Sequence, residues 1–347
     1  MSPRPMGYAV GVDLGGTKTA AGLVAADGSV LLRREAPTPA AEGPEAVLAT
    51  VIGLAAEVIA AAPSAHASDA PLIGVGIGAA GVVDPRTRTV LSATDTLPGW
   101  AGTRIGAEAE SALGLPVAVD NDVRAHALGE ARYGAGRGRS TVLLVAAGTG
   151  VGGALIVGGV PLVGASSAAG HFGHMPVVEA QGLPCTCGRQ GHVETIAAGP
   201  AIHAAYLRRG GQEPVADARA VFALAETGDP LALSVVEIAG RALGRAIGGL
   251  LNALDPDVVV VGGGLSQTSE LWWGPLRDGV AAEAIDLVRD RAVVPAALGT
   301  AAALAGAGAL AFDAALVSST SPSSSSPSSA SSPDSDPVPS SPIGARA

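Results

Sequence analysis

Near the N-terminus an apolar run ends in a carboxylate, which is followed by paired glycines, a hydroxyl and an ammonium, in the sequence YAVGVDLGGTK. These residues are Asp13, Gly15, Gly16, Thr17 and Lys18. Glycines permit backbone conformations and close ligand approach that a Cβ would forbid, and exposed backbone N–H groups beside a cation can bind phosphate. An ordinary tight turn fits the same residues. On this stretch alone, the turn and the phosphate site are equally good interpretations.

Three polar residues, Asp120, Asn121 and Asp122, stand between a predicted strand at 115–119 and a predicted helix at 123–132. Backbone N–H groups and the helix dipole stabilise an acid at a helix start, so we expect Asp122 to be ionised. The simplest interpretation of this aspartate is a helix cap without chemistry.

The segment 164–194 contains four side chains that bind metals, His174, Cys185, Cys187 and His192. Two nitrogen and two sulfur ligands suit tetrahedral zinc, and a Cys-x-Cys pair does not make a disulfide framework. Four protein ligands leave no open coordination position. The predicted zinc would therefore hold the loop in place and take no part in the chemistry.

The elements that must position these groups occur twice in the sequence. Each half has three consecutive strands with a glycine-rich first turn; the strands begin near residues 10, 19 and 30 in the first half and near 142, 153 and 160 in the second. Such a repeat predicts a duplicated α/β unit with two facing turns, which can grip one polyphosphate from opposite sides. The remaining periodicity predicts helices at 44–62, 196–209, 218–227, 230–254 and 298–312, and strands at 72–77 and 257–261.

Two other phosphate-binding motifs are excluded. The Walker pattern would need glycines where Val12 and Thr17 stand. The dinucleotide pattern G-x-G-x-x-G occurs at 76–81 and at 148–153, but the residues that follow read as strands or turns and not as a helix. A Rossmann site is therefore not expected.

Composition bounds the class of protein. A chain of 347 residues is long enough for about two domains. The net charge of −10 and the lack of basic runs argue against nucleic-acid or anionic-membrane partners. Two uncharged runs, 140–170 and 292–312, read as buried strands and a buried helix, and the N-terminus lacks a signal-peptide core, so we expect a cytoplasmic protein. The Ser- and Pro-rich segment 314–347 is predicted to be a disordered tail.

From about residue 7 to about residue 312 the chain resembles the ROK family of sugar kinases and repressors. The resemblance rests on DLGGTK, AGTGVGG, VVVGGGLS and the Cys/His loop, at 13–18, 147–153, 259–266 and 164–194. It implies the duplicated ATPase fold shared with actin and hexokinase, with two lobes around a cleft. The implied division is a leader of residues 1–7, an N-terminal lobe of 8–120 plus about 297–313, and a C-terminal lobe of 121–296.

The resemblance also implies ATP between the two glycine turns, Mg²⁺ near Asp13, and Asp122 as the catalytic base. The implied ATP-binding residues are Asp13, Gly15, Gly16, Thr17, Lys18, Thr149, Gly150, Gly152, Gly262 and Gly263. The implied sugar-binding residues are Gly81, Thr96, Asn121, Asp122, His171, His174 and Glu194.

This chain departs from the family pattern at three positions. Thr96 replaces an asparagine that contacts sugar, and His192 replaces the last zinc-binding cysteine, an exchange that preserves ligation. His171 replaces a glutamate that binds sugar hydroxyls, and several bacterial N-acetylmannosamine kinases are similar to this chain there. A neutral imidazole donates and accepts one hydrogen bond, whereas a carboxylate only accepts, so the preferred hydroxyl pattern is expected to change.

The resemblance therefore implies an ATP-dependent hexose kinase that phosphorylates the 6-hydroxyl of glucose or of an N-acylhexosamine such as N-acetylmannosamine. A sugar-sensing regulator without turnover is disfavoured by the short segment before the first strand and by the presence of Asp122. A polyphosphate-dependent glucokinase is a third reading, for which no basic phosphate channel is visible. A homo-oligomer, either a dimer or a tetramer, is expected.

Overall fold

The computed structural model describes residues 7–65, 70–94, 96–212 and 214–320. Residues 1–6 of the predicted leader and residues 321–347 of the predicted tail lie outside this part. Its strands are β1 (Tyr8–Leu14), β2 (Lys18–Ala25), β3 (Val30–Pro37), β4 (Leu72–Ala79), β5 (Val82–Asp84), β6 (Thr89–Ser92), β7 (Val117–Asn121), β8 (Thr141–Ala147), β9 (Val151–Val157), β10 (Val160–Pro161), β11 (Val258–Gly262) and β12 (Val293–Pro295). Its α-helices are α1 (Pro44–Ala65), α2 (Ile105–Leu113), α3 (Asp122–Tyr133), α4 (Glu194–Ala197), α5 (Gly199–Arg208), α6 (Ala218–Glu226), α7 (Pro230–Leu254), α8 (Glu270–Glu283) and α9 (Ala302–Thr320).

Two five-stranded sheets share one topology. The strand orders are β3-β2-β1-β4-β7 in the first sheet and β10-β9-β8-β11-β12 in the second. In both, three strands form an antiparallel meander and two further strands join in parallel. The predicted duplicated α/β architecture is confirmed. It places the glycine turn of each meander at the same edge as the carboxyl ends of the parallel strands.

The first sheet is covered on both faces, because successive side chains along a strand point in opposite directions. In β1, Val10, Val12 and Leu14 pack in one apolar cluster with α1 and α2. Ala9 faces the other way and packs against the C-terminal part of α9. Near it, a Cβ on Gly11 would overlap the carbonyl of Leu304 in α9.

The second sheet follows the same rule. Leu143 and Val145 of β8 join the largest apolar cluster, which contains α5, α6, α7 and α8. Val142 and Leu144 face α3 instead, where Leu128 is fully buried. Helix α3 therefore covers the face of the second sheet that is turned toward α9.

Helices α3 and α9 cross in the middle of the molecule at unusually close range. A Cβ on Gly129 of α3 would overlap the Ala302 carbonyl, and a Cβ on Gly306 of α9 would overlap the Ala125 carbonyl. Each helix thus presents a glycine to the backbone of the other. This explains the Ala- and Gly-rich composition of α9, since larger side chains would separate the two sheets.

Several boundaries differ from the predicted ones. Helix α9 runs to Thr320, so residues 314–320 are helical and do not belong to a disordered tail; the sequence DAALV has no helix breaker, and Asp313 pairs with Arg132. The predicted helix 196–209 is interrupted at the extended residue Ala198, because Pro200 starts a helix but cannot continue one. The elements α2, α8 and β12 were not predicted, whereas β5 and β6 lie in the stretch after Gly81 that was expected to form strands or turns.

Two helical segments, Pro44–Pro63 and Gly299–Val317, are long and apolar enough to cross a membrane by composition alone. Both pack on the first sheet: Val47 and Val51 are buried against its α1 side, and Phe312 is buried on its α9 side. Of the most apolar window of each segment, 33% of the first and 56% of the second is buried in this fold, so burial accounts for their apolar character in part.

Candidate active site

The register of the first sheet aligns three positions where strands end. Asp13 of β1 pairs with Gly78 of β4, and Gly78 pairs with Asp120 of β7. Because Gly78 has no side chain, the start of α3 approaches the sheet at this point: a Cβ there would lie 2.9 Å from the Ala125 Cβ and 3.4 Å from the Asp122 Cα. Asp13 and Asp122 consequently lie on either side of a glycine.

The carboxylate of Asp122 is held through one oxygen. Its Oδ1 accepts hydrogen bonds from the Asn121 side chain (2.7 Å) and from the Val123 N–H (2.9 Å). Both of these bonds end on Oδ1, and among the described residues none ends on Oδ2. Burial raises the pKa of Asp122 above its usual value, and these hydrogen bonds oppose the rise only in part. Desolvation thus outweighs the helix N-terminus that was expected to favour the ionised form.

The helix-capping interpretation of Asp122 is wrong, because Asn121 is the cap. Its Oδ1 accepts from the N–H groups of Val123 and Arg124 at 3.0 and 3.1 Å. Its Nδ2 donates to the Gly81 carbonyl and to Asp122. Asn121 thus joins the catalytic-base candidate to the loop before β5. Its direct contact with sugar stays a prediction.

Asp13 faces the same site and is strongly perturbed. Burial, followed by the charge of Asp122, raises the pKa of Asp13 to about 6, against weaker opposing effects of Arg33 and Lys18. Two neighbouring carboxylates that disfavour each other's ionisation form a setting that a divalent cation would stabilise. The donor set fits the Mg²⁺ expected near Asp13, since hard oxygen ligands suit this ion.

The first glycine turn is fastened from β3. The Gly15 N–H donates to the Lys18 carbonyl at 3.0 Å, and Thr38 donates from its hydroxyl to the Gly15 carbonyl at 2.8 Å. Neither Gly15 nor Gly16 has a positive φ, so the backbone conformation does not require glycine at these positions. The close approach of a ligand to the backbone is the reason that remains. Within the described residues, the N–H groups of Gly16 and Thr17 have no acceptor. Two donors therefore remain for a ligand.

Lys18 is engaged at the surface of the sheet. Its ammonium pairs with Glu35 at 3.3 Å, and Arg33 pairs with the same carboxylate at 3.0 Å. Both partners of the Lys18 pair are about half exposed, at 53% and 50%, so this pair is weak and a phosphate could replace Glu35.

The second glycine turn is fastened by helices α4 and α5. The Gly148 carbonyl accepts from the Gly199 N–H at 2.8 Å, at the start of α5. In the part of the chain that the structure describes, the N–H groups of Thr149 and Gly150 have no acceptor. A Cβ on Gly152 would come within 3.7 Å of the Val123 side chain, so the turn continues toward the first turn of α3.

A third glycine turn, Gly262–Gly264, adjoins the second. Gly263 has φ of +82°, and a Cβ there would overlap the Ala147 carbonyl. A Cβ on Gly148 would lie 3.8 Å from the Gly264 nitrogen. The predicted phosphate and adenosine segments thus form one continuous strip of backbone, as binding of a single nucleotide would require.

Glu194 lies between the zinc-loop candidate and the second glycine turn. It begins α4, and its Oε2 accepts from the Val151 N–H at 2.9 Å. A Cβ on Gly150 would lie 2.8 Å from the same oxygen. This predicted sugar ligand therefore also supports the predicted phosphate turn.

The other predicted sugar ligands border this site from two loops. Gly81 has φ of +102°, and a Cβ there would lie 2.7 Å from the Ser92 carbonyl, so only glycine fits. Thr96 bonds to the Thr94 hydroxyl at 2.7 Å and lies over Gly16, at 3.5 Å from a Cβ built there. Their contact with sugar stays a prediction.

The orientation of His171 is defined by one hydrogen bond. Its Nδ1 lies 2.8 Å from the Ala168 carbonyl, and because a carbonyl can only accept, Nδ1 carries the proton. In the neutral ring Nε2 is then an acceptor. The ring stacks on His174 with centroids 6.1 Å apart. From the sequence, this neutral imidazole was expected to donate one hydrogen bond and to accept one. Because Nδ1 already donates to Ala168, only acceptance at Nε2 remains for a sugar.

The four predicted zinc ligands come together. The ligand atoms of His174, Cys185, Cys187 and His192 lie within 4.8 Å of one another. Nδ1 of His174 is 3.6 Å from Sγ of Cys185, and Nδ1 of His192 is 3.3 Å from Sγ of Cys187. These separations are close to the roughly 3.5 Å that tetrahedral Zn–N and Zn–S bonds impose. The donor set therefore fits zinc, and the exchange to His192 preserves the geometry.

Sequence reasoning missed the buried pair of Asp120 and Arg124. The Arg124 Nε lies 2.5 Å from the Asp120 carboxylate, and the two side chains are only 2% and 4% exposed. Burial raises the pKa of Asp120, and Arg124 opposes this. The i, i+4 spacing of an acid and an arginine was a visible signal, but it is also the commonest pattern of an exposed helix pair.

Comparison with known proteins gives the class first. Sugar kinases recur among the curated relatives and the solved structures that the chain matches, so the protein is a sugar kinase, a phosphotransferase with an alcohol acceptor. More narrowly, it belongs to the ROK family, whose model matches residues 9–314.

Two curated relatives are similar over most of their length. A glucokinase of Halalkalibacterium halodurans is 36% identical over 296 residues, 82% of this chain and 88% of that protein. An N-acetylmannosamine kinase of Escherichia coli is 36% identical over 253 residues, 73% of this chain and 81% of that protein. A ROK glucokinase from Streptomyces griseus, solved with glucose and AMPPNP, is 34% identical with a TM-score of 0.71, covering 88% of this chain and all of that one.

We predict that Asp13→Asn stabilises the ligand-free protein. The pKa of Asp13 is raised from 3.8 to about 6, so the folded state holds the proton more tightly and stability is lost as pH rises through this window. Removing the charge should raise the free energy of unfolding by about 1–3 kcal/mol at pH 7, and by less toward pH 4. Denaturant unfolding at both pH values measures this.

Asp27→Asn is the matched control, because the Ser29 N–H lowers the pKa of that exposed aspartate. It should bring no gain at pH 7. An Asp13→Asn gain that is absent, or that grows on acidification, would contradict the assigned coupling of Asp13 to Asp122.

Proposed function

We propose that this protein is an ATP-dependent hexose 6-kinase that acts on glucose or on an N-acylhexosamine such as N-acetylmannosamine. The observation that carries the proposal is the placement of Asp122 beside two glycine turns with unused N–H donors. An ADP-release assay with ATP over a panel of hexoses and N-acylhexosamines tests it.

In the proposed reaction, Asp122 accepts the 6-hydroxyl proton through Oδ2 as the hydroxyl oxygen attacks the γ-phosphorus and the bond to the ADP oxygen breaks. Asn121 and Val123 hold Oδ1, so the carboxylate cannot rotate away. A raised pKa makes Asp122 a stronger base than an ordinary carboxylate, which suits late proton transfer.

Phosphoryl transfer asks a protein mainly for positioning and charge stabilisation. The N–H groups of Gly16, Thr17, Thr149 and Gly150 supply donors from two sides. Mg²⁺, bound near Asp13, would neutralise charge on the phosphates. The adenosine would pack along the Gly262–Gly264 turn.

We assign a structural zinc ion to the Cys/His cluster, where it would fix the loop with no open coordination position. His174 lies in this cluster and stacks on His171, so the ion would support the predicted sugar ligands from behind. Glu194, two residues beyond His192, would be held in the same way.

The identity of the sugar depends on His171. Relatives named glucokinase and N-acetylmannosamine kinase are both 36% identical to this chain, over 296 and 253 residues respectively, so percentage identity does not decide between them. An acceptor at Nε2 of His171 matches a sugar hydroxyl or an amide N–H, and it lacks the negative charge of a glutamate.

The regulator and polyphosphate alternatives are outcomes of the same assay: sugar binding without turnover, or turnover with polyphosphate in place of ATP. A cytoplasmic location and a homo-oligomeric state stay predictions.

We predict that Asp122→Asn lowers kcat at least about 100-fold while the sugar dissociation constant changes little, since the amide keeps the shape but cannot take a proton. A coupled ADP assay and calorimetric sugar binding measure the two effects. The control is Asp217→Asn, at the cap of α6, which should leave both unchanged. Comparable kcat in Asp122→Asn would mean that this carboxylate is not the base.

We predict one zinc per chain, lost on Cys185→Ser together with sugar affinity. Metal analysis of protein purified without chelator measures the content. The variant His192→Cys should retain the metal, because a thiolate replaces an imidazole in the same coordination shell. Wild-type protein without zinc would remove the site from the proposal.

We predict that His171→Glu shifts preference toward plain glucose. His171 is exposed in this structure, so its partner would be a bound sugar; a mispaired hydrogen bond between the ring and that sugar should change the ratio of kcat/KM between glucose and N-acetylmannosamine by roughly tenfold to a hundredfold. The control is His203→Gln in α5, whose imidazole bonds to the Val215 carbonyl outside this site. If the ratio for His171→Glu stays within about twofold of wild type, the histidine only supports the neighbouring His174.

A further inference from the structure

The guanidinium of Arg124 connects three segments that are distant in sequence. Its Nε bonds to Asp120 at the end of β7, its Nη2 donates to the Val83 carbonyl in β5, and its Nη1 donates to the Ser167 carbonyl, the last two at 2.9 Å. The side chain is 2% exposed. The bonded carbonyls are 41 and 43 residues away along the chain. This one planar group therefore holds two segments, β5 and the loop that contains Ser167, in place relative to α3.

Both of these segments lead directly to predicted sugar ligands. Val83 is two residues beyond Gly81, whose carbonyl is held by Asn121. Ser167 precedes Ala168, whose carbonyl accepts a hydrogen bond from Nδ1–H of His171. Ser167 itself is buried with φ of +57°, a conformation that a residue with a side chain keeps only when its surroundings impose it.

Only an arginine can make this set of contacts. A guanidinium presents five donors in a rigid plane, whereas an ammonium is a point charge on a flexible stem. A buried ion pair that served stability alone could be replaced by apolar side chains with little loss. The Arg124 contacts instead end on two backbone carbonyls, and their geometry is set by the direction of the fork.

We propose that Arg124 is a positioning residue for sugar recognition: through Val83 and Ser167 it sets the Gly81 loop and the His171 loop at a common distance from Asp122. This rests on the proposed function as a hexose kinase. Arg124 touches no reacting atom; it acts through the two loops. Its side chain contacts Asp120, Val83 and Ser167 and neither of the two glycine turns.

The test compares the wild-type protein with Arg124→Lys. Amide hydrogen exchange, followed by mass spectrometry without ligands, should become about tenfold faster in residues 81–84 and 164–172 together, because both carbonyl contacts are lost. The KM for sugar should rise at least about tenfold, while the KM for ATP stays within about twofold. Zinc content should be unchanged.

Arg132→Lys is the matched control, because Arg132 lies two turns further along the same helix. Its guanidinium pairs with Asp313 and donates to the carbonyls of Gly159 and Ala309. This variant should leave exchange in both loops, and both KM values, as in the wild type. Should Arg124→Lys fail to fold, Asp120→Asn removes the charge partner of Arg124 and should accelerate exchange in the same two segments.

Two results would overturn the proposal: exchange that speeds up in neither loop, or a KM that rises equally for sugar and ATP. Failure of the proposed function gives a different result, since a wild-type protein without hexose turnover can still show the loop exchange difference. In that case the hydrogen-exchange result would still support the positioning of the two loops by Arg124, and the proposed role in sugar recognition would be rejected.

Discussion

The rest of the structure depends on how closely α3 and α9 approach each other. Each helix offers a glycine, Gly129 or Gly306, to the backbone of its partner, and a single methyl group at either place would overlap a carbonyl. Since α3 covers the second sheet and α9 the first, this contact sets the distance between the two halves. The glycine turns of the two meanders can serve one ligand only if that distance is kept.

Helix α3 concentrates the groups that work against stability. Burial raises the pKa of Asp13, and the charge of Asp122 in the first turn of α3 raises it further, while Arg33 and Lys18 oppose the rise only in part. Such a pair of acids is costly in the ligand-free protein, and Asn121 and Arg124 fix the backbone on the other side of Asp122 through the Gly81 and Val83 carbonyls. Strain of this kind is typical of sites that are completed by a charged substrate and its cation.

Features that depend on local sequence could be predicted, and features that depend on distant contacts could not. The meanders, the Cys/His cluster and α7 follow from glycine turns, ligand spacing and apolar periodicity over short windows. The contacts of Arg124 join residues more than forty positions apart, so no window contains them. The raised pKa of Asp122 could not be predicted because burial is a property of the assembled fold. Helix α8 escaped prediction because its tryptophans, glycines and proline favour no helix until α7 packs against it.

Glu194 has a consequence for how two ligands share this protein. One of its oxygens accepts from the N–H of Val151, beside the turn proposed for phosphate, while the carboxylate as a whole is proposed to receive a sugar hydroxyl. A hydrogen bond from the sugar that shifts this carboxylate would also shift the Val151 N–H and the turn beside it. Heterotropic linkage of this kind is reciprocal, so the factor by which sugar changes nucleotide affinity must equal the factor by which nucleotide changes sugar affinity. The two substrates would then bind as a coupled pair, with the coupling carried by one side chain.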